Sequence, residues 1–196
     1  MGLTSLNPAL FPSELAVHLG SGVQSIQFPI QLAPYLAKLT TANVRSYLEV
    51  GVEHGGTFAI TVEVLRRFGL ERALAVDLGP TPLLFRRWKR PGVGFAAVDS
   101  HTPAFERVLA RHGPFDLAMI DGDHSEEGVR ADLEAVLPRA RMIALHDIVE
   151  PVWPGVGRVW ASLRSQHADE YCFHEFIAQY PGQVTPRLGI GLAIRR

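Results

Sequence analysis

The sequence contains one cysteine, Cys172, among its 196 residues. A single thiol cannot close an internal disulfide, so the fold must rest on a packed core, and a reducing, cytoplasmic setting is expected. Excess charge is missing as well: 19 Lys and Arg face 20 Asp and Glu, a formal net charge of −1. Without a broad positive field, neither nucleic acid nor an anionic membrane surface is an expected partner. No apolar run reaches the roughly 18 residues of a spanning helix, and no basic region followed by an apolar stretch opens the chain. The glycine-rich run near residue 51 has no Gly-Lys-Ser/Thr after it and is not a full G-x-G-x-x-G, so it matches neither the phosphate loop nor the pyrophosphate fingerprint. What remains is a protein for a small molecule, and a homo-oligomer is compatible with it.

Hydrophobic residues make up 47% of the chain and charged residues 20%, the composition of a folded domain. Residues 1–43 hold two short helical patterns, 13–19 and 30–39, separated by Gly20, Gly22 and Pro29; they are expected to form a cap or lid over a domain of residues 44–196. From Arg45 onward, short β-branched or apolar runs alternate with helical spacing. The predicted strands are 46–50, 73–77, 94–98, 117–121 and 142–147; the predicted helices between them are 57–67, 82–88, 103–112 and 126–137. Such alternation implies an α/β fold with a doubly wound, mostly parallel sheet. A Pro/Gly-rich loop is expected over 150–157, then a helix from Val159 to about Gln166. Two last strand-like runs, 171–178 and 188–194, leave no room for a crossover helix, so they should pair antiparallel and complete a seven-stranded sheet as a hairpin.

The first strand runs into Glu49-Val50-Gly51-Val52-Glu53-His54-Gly55-Gly56-Thr57, with a helix following at once. Gly51 and Gly55 permit a tight turn close to a ligand, and the helix N-terminus offers N–H groups to a carboxylate or phosphate. A plain strand-to-helix turn is the competing reading. Asp77 ends the second strand, where a carboxylate can accept both ribose hydroxyls of an adenosine-containing ligand or merely cap a helix. Asp99 and Ser100 end the third in the same way, with an N-cap for the helix at Pro103 as the alternative.

Glu49-x-Gly51-x-x-x-Gly55-x-Thr57 resembles the first signature of class I S-adenosylmethionine-dependent methyltransferases, especially their metal-dependent O-methyltransferase branch. The resemblance implies the Rossmann-like fold of that class and S-adenosylmethionine as cofactor. It places Glu49 near the methionine end, the Thr57 hydroxyl at the methionine carboxylate and Ser100 at the adenine. The run 115–133, with Asp121-Gly122-Asp123-His124 and Gly128-Val129-x-x-Asp132-Leu133, resembles a bacterial small-molecule family related to cephalosporin and macrolide tailoring enzymes. His146-Asp147-Ile148 and Gly155-Val156-Gly157-x-Val159-Trp160 fit it too.

Neighbouring parallel strands ending in Asp121, Asp123, His124, His146 and Asp147 should bring these groups together beside the cofactor. Carboxylates that close repel unless a cation or protons neutralise them, so a divalent metal on Asp121, His146 and Asp147 is expected. The resembled branch ends its fifth strand in two oxygen ligands, whereas this chain has His146; imidazole suits Mn or another transition metal better than Mg. A hydrogen-bonded polar floor without metal is the alternative. His124, titrating near its ordinary value of roughly 6.5, is the expected general base, the alternative being that it only caps or packs on the helix starting at Ser125; Asp121 and His146 are the other expected catalytic groups. The expected acceptor is a small-molecule hydroxyl. Two other functions fit parts of the pattern: a metal-dependent hydrolase or lyase, and a cofactor-binding module without turnover. Trp153 and Trp160 are expected either to line an acceptor pocket or to pack in the core.

Overall fold

The period-two alternation of the strands sets which side chains meet which helices. The computed structural model describes residues 23–182 and 184–196, so the predicted helix 13–19, with Gly20 and Gly22 after it, lies outside the described residues. Helix α1 (Pro29–Thr40) precedes β1 (Ser46–Val50), α2 (Gly56–Arg66), β2 (Arg72–Asp77), α3 (Leu83–Arg87), β3 (Val93–Ala97) and α4 (Pro103–His112). Then come β4 (Phe115–Ile120), α5 (Glu126–Val136), β5 (Ala140–His146), α6 (Pro154–Gln166), β6 (Tyr171–Phe176) and β7 (Ile190–Arg195). The strands form one sheet in the order β3-β2-β1-β4-β5-β7-β6. The first five strands run parallel, and β7 is antiparallel to both β5 and β6. This is the doubly wound, Rossmann-like sheet with an antiparallel C-terminal pair.

Tyr47, Ala73, Ala75, Leu117 and Met119 point to one face and pack with α1, α2 and α3. Leu48, Leu74, Ala118, Ile120 and Ile143 point to the other and pack with α4, α5 and α6. Phe58 of α2 stacks on Tyr47 with ring centroids 5.5 Å apart. Burying side chains of this size contributes about 1.5–3 kcal/mol each. On α1, Leu32, Tyr35, Leu36 and Leu39 are buried in the first of these clusters.

The expected loop 150–157 is too long. Helix α6 starts at Pro154, whose fixed φ suits the first helical position, and runs to Gln166. Its early glycines serve close packing: a Cβ on Gly155 would stand 2.6 Å from the Glu126 nitrogen of α5, and one on Gly157 would stand 3.0 Å from the Ile148 carbonyl oxygen. The predicted ends of β4 and β5 also shift, which puts Asp121 and Asp147 one residue past their strands. Among the described residues, no helix is long and apolar enough to cross a membrane.

Candidate functional site

Strand order reverses between β1 and β4, and the chain leaving each there turns to opposite faces, opening a cleft over the carboxyl ends of the strands. The cleft is a cavity of about 750 Å³. Gly51 stands at the reversal. Its nitrogen donates to Val76 O at 2.8 Å, and the Asp121 nitrogen donates to Val50 O at 2.8 Å, so the two loops rise side by side. Gly51 has φ +82°, and a Cβ there would overlap the Asp121 carbonyl. Only glycine meets both demands.

Of the residues expected to hold the cofactor, Glu49, Gly51, Thr57, Asp77, Asp99, Ser100 and Asp121 line the cavity. Gly55 does not: it is the N-cap of α2, in the left-handed region and against the Phe85 ring. Asp77 ties the first turn together. Its Oδ2 accepts from the Val52 and Glu53 nitrogens at 2.8 Å each, and its Oδ1 accepts from Gly79 at 2.9 Å. Asp99 accepts from the His101 nitrogen at 2.8 Å, while Thr102 takes the N-cap position of α4; the capping alternative for Asp99 and Ser100 therefore drops out. The Thr57 hydroxyl shares a 2.8 Å hydrogen bond with Ser25. Glu49 is fully buried and accepts from the Tyr47 hydroxyl. Burial pushes its carboxyl up to about 8, against the lowering effect of the Tyr47 bond, and Asp121 adds to the rise.

The other wall is a square of two carboxylates and two imidazoles. His124 Nε2 lies 3.1 Å from Asp147 Oδ2 and 3.4 Å from Asp121 Oδ1. His146 Nδ1 lies 3.1 Å from both Asp121 Oδ1 and Asp147 Oδ1. Asp147 reaches this place from a left-handed backbone, φ +62°, which Asp tolerates. These contacts are close but poorly aligned: His124 Nε2, His146 Nδ1 and Asp147 Oδ1 are buried without a hydrogen-bond partner. Ligand atoms of Asp121, His124 and Asp147 all lie within 4.8 Å of one another. Converging, unpartnered N and O donors of this kind fit a divalent cation.

The charges correct one expectation. His124 does not titrate near its ordinary value, because Asp121 and Asp147 stabilise its imidazolium and push it up to about 9 against the opposing effect of burial. For His146, burial opposes charge, but the same two carboxylates win and raise it well above the ordinary value. Burial alone would raise Asp147; the two imidazoles outweigh it and hold the carboxyl below the usual range.

Capping of α5 falls to Ser125, which accepts from the Gly128 nitrogen at 3.0 Å and leaves His124 to the square. Asp123 lines the cavity while accepting from the Ser125 nitrogen at 2.8 Å. Trp153, 45% exposed, tilts over the His124 ring at 5.2 Å, whereas Trp160 is buried and donates to Glu175 at 2.7 Å. His54 is exposed, 3.6 Å from Glu53, and does not itself line the cavity. His167 pairs with Glu170 at 2.8 Å, outside the site. Sequence reasoning missed Gln27, Gln31, Glu150 and Arg187. Gln27 and Gln31 are buried, Gln27 bonds His146, and Gln31 bonds the 187–189 backbone. Gln31 alone carries a signal, its position: Gln31, Tyr35 and Leu39 share the buried face of α1, where an amide is out of place among apolar neighbours.

A family model described as a methyltransferase domain matches residues 48–148, just over half of the chain. Over 53 residues the chain is 39% identical to demethylmacrocin O-methyltransferase of Streptomyces fradiae, covering 26% of this chain and 13% of that protein. Over 55 residues it is 34% identical to mycinamicin VI 2''-O-methyltransferase of Micromonospora griseorubida, covering 26% and 14%. The matches thus span about an eighth of the length of these curated relatives. In fold, the chain is similar to an O-methyltransferase from Bacillus cereus in complex with SAH, with a TM-score of 0.65 at 16% identity over 97% of this chain and 93% of that one. It is also similar to MycE methyltransferase from the mycinamycin biosynthetic pathway in complex with Mg, SAH and mycinamycin VI, with a TM-score of 0.60 at 18% identity over 83% of this chain and 48% of that one.

Proposed function

The chain belongs to the methyltransferase-domain family, and from that premise we propose that it moves the methyl group of S-adenosylmethionine to a hydroxyl oxygen of a small molecule, with help from a divalent cation. The observation that carries this reading is the single cavity lined by both the Gly51 turn and the acid–histidine square. The SAH held by the Bacillus cereus structure and the Mg and SAH held by MycE support it.

In this reading residues 49–57 cradle the methionine end, Asp77 faces the ribose and Ser100 the adenine. Bound S-adenosylmethionine supplies an electrophilic methyl group, and the cation lowers the pKa of the hydroxyl that receives it. Asp121, Asp147 and His146 Nδ1 would hold the cation, a mixed N/O set that favours Mn or another transition metal over Mg. Were both carboxylates taken up by that cation, the field that keeps His124 protonated would be relieved and its Nε2 would be the group to accept the hydroxyl proton. Trp153 braces that ring and, with Val152 and Ile26, gives the acceptor side an apolar rim. Division into a cap, residues 1–43, and a cofactor domain, 44–196, belongs to the same proposal, as does a cytoplasmic location.

Calorimetric titration with S-adenosylmethionine and SAH, followed by methyl transfer to a panel of hydroxyl acceptors, tests the reading. Both ligands should bind, activity should vanish with chelator, and Mn should restore more of it than Mg at equal concentration. Failure of both ligands to bind overturns the assignment. Full activity in chelator-treated, metal-free protein removes the cation.

A further inference from the structure

His146 is joined on its far side to a buried chain of amides. Its Nε2 lies 2.7 Å from Gln27 Oε1, Gln27 Nε2 donates to Gln31 Oε1 at 2.9 Å, and Gln31 Nε2 donates to the carbonyls of Ala178 at 2.9 Å and Arg187 at 3.1 Å. The Gly189 nitrogen in turn donates to Gln31 Oε1 at 3.1 Å. Gln27 and Gln31 are 2% and 0% exposed.

An amide can be turned end for end, and here backbone groups decide the matter. One end of Gln31 meets two carbonyls, which only accept, so that end is the NH₂. Its other end meets the Gly189 N–H, which only donates, so that end is the oxygen. Gln27 must then offer its NH₂ to Gln31, which leaves its oxygen facing His146. An oxygen acceptor at 2.7 Å requires a proton on Nε2.

We propose that Gln27 and Gln31 are positioning residues: they fix a proton on His146 Nε2, aim Nδ1 at Asp121 and Asp147, and make that arrangement depend on the seating of the segment between β6 and β7. The proposal rests on the methyl-transfer reading only in that it makes His146 part of the reaction centre. The segment has a direct stake in the cleft, since Arg187 and Leu188 line the cavity. Arg187 Nε and the Leu188 nitrogen both donate to the buried Glu150, at 2.7 and 3.2 Å. Orienting partners of this kind typically change metal affinity or activity by about 10–100-fold.

The test is nitrogen NMR of ¹⁵N-histidine-labelled, cation-free full chain, carried up in pH until the His146 ring is neutral and its one remaining proton marks the tautomer, with methyl-transfer kinetics measured in parallel. His146 in the parent should show a protonated Nε2. Gln27→Met, which offers no oxygen, should lose that signature and lower kcat by about 10–100-fold with the KM for S-adenosylmethionine unchanged. Gln27→Glu, which keeps an acceptor oxygen, should retain the signature. A bare Nε2 in the parent, or a Gln27→Met spectrum identical to it, overturns the proposal. A parent that transfers no methyl group but shows the signature and its loss in Gln27→Met refutes the activity and leaves the relay standing.

Discussion

The two walls of the cleft are made of different material. Over β1, β2 and β3 the surface is mainly backbone: a glycine turn, a helix start and the nitrogens of Val52, Glu53 and Gly79 gathered on Asp77. Over β4 and β5 it is side-chain charge, two carboxylates facing two imidazoles at 3.1–3.4 Å. A backbone wall recognises by position and holds its shape without a ligand. A wall of charge is only as stable as its neutralisation, and here each carboxylate keeps an imidazole protonated. The first wall is suited to holding a constant cofactor, the second to changing protonation during a reaction.

Breaking the charged wall should have the largest effect. His124→Ala is expected to lower kcat by about 10²–10⁴-fold, the range for a lost general base, while calorimetry finds S-adenosylmethionine affinity nearly unchanged. A comparable loss of affinity would mean that the walls do not work separately. Gly51→Ala attacks the seam between them. A methyl group forced against the Asp121 carbonyl in a left-handed conformation should cost about 2–4 kcal/mol in denaturant unfolding and impair both walls at once. Unchanged stability would show that the seam can relax.

Asp77→Ala sharpens the comparison from the backbone side. Cofactor binding should weaken by about 1.5–3 kcal/mol, the order expected for losing hydrogen bonds to a charged acceptor, with kcat at saturating cofactor largely kept. Binding as tight as the parent's would take Asp77 off the ribose and leave it only the turn. The most gradual effect belongs to Glu49, where the walls meet. The folded protein holds this proton up to about 8, while an unfolded chain releases it near 4.5. Stability should therefore fall as pH rises through that window, by at most about 1.4 kcal/mol per unit, and Glu49→Gln should flatten the slope. A slope identical in the variant would assign the pH dependence to other groups.

What the sequence made legible follows from how local each signal is. Strand β1 and helix α4 stand at the residues that alternation and helical spacing mark, because both patterns are carried by consecutive residues. The start of α6 was hidden because proline and glycine usually punctuate loops, whereas here they begin a helix pressed against α5. The cofactor turn and the acid–histidine run are each written in one stretch of chain, so their meeting in one cleft could be anticipated. Gln31 could not be joined to Arg187 in advance, since 156 positions separate them and no local pattern records the pairing. Nor could the raised titration of His124, which needs two carboxylates from different loops.

The place of β7 bears on the order in which this protein can be completed. It lies between β5 and β6, yet it is the last strand of the sheet to leave the ribosome. Until residues 190–195 emerge, the apolar edge of β5 stands open and β6 has nothing to pair with. Gly189, which fastens Gln31, arrives just as late. A nascent chain arrested before residue 190 is expected to expose an unpaired, aggregation-prone edge and to be cut readily by protease on the β5 side. Protection there before β7 is made would refute that order. The sheet beside the charged half of the cleft is thus the last to be completed, although Asp121 and Asp147 are synthesised well before the strand that pairs with β5.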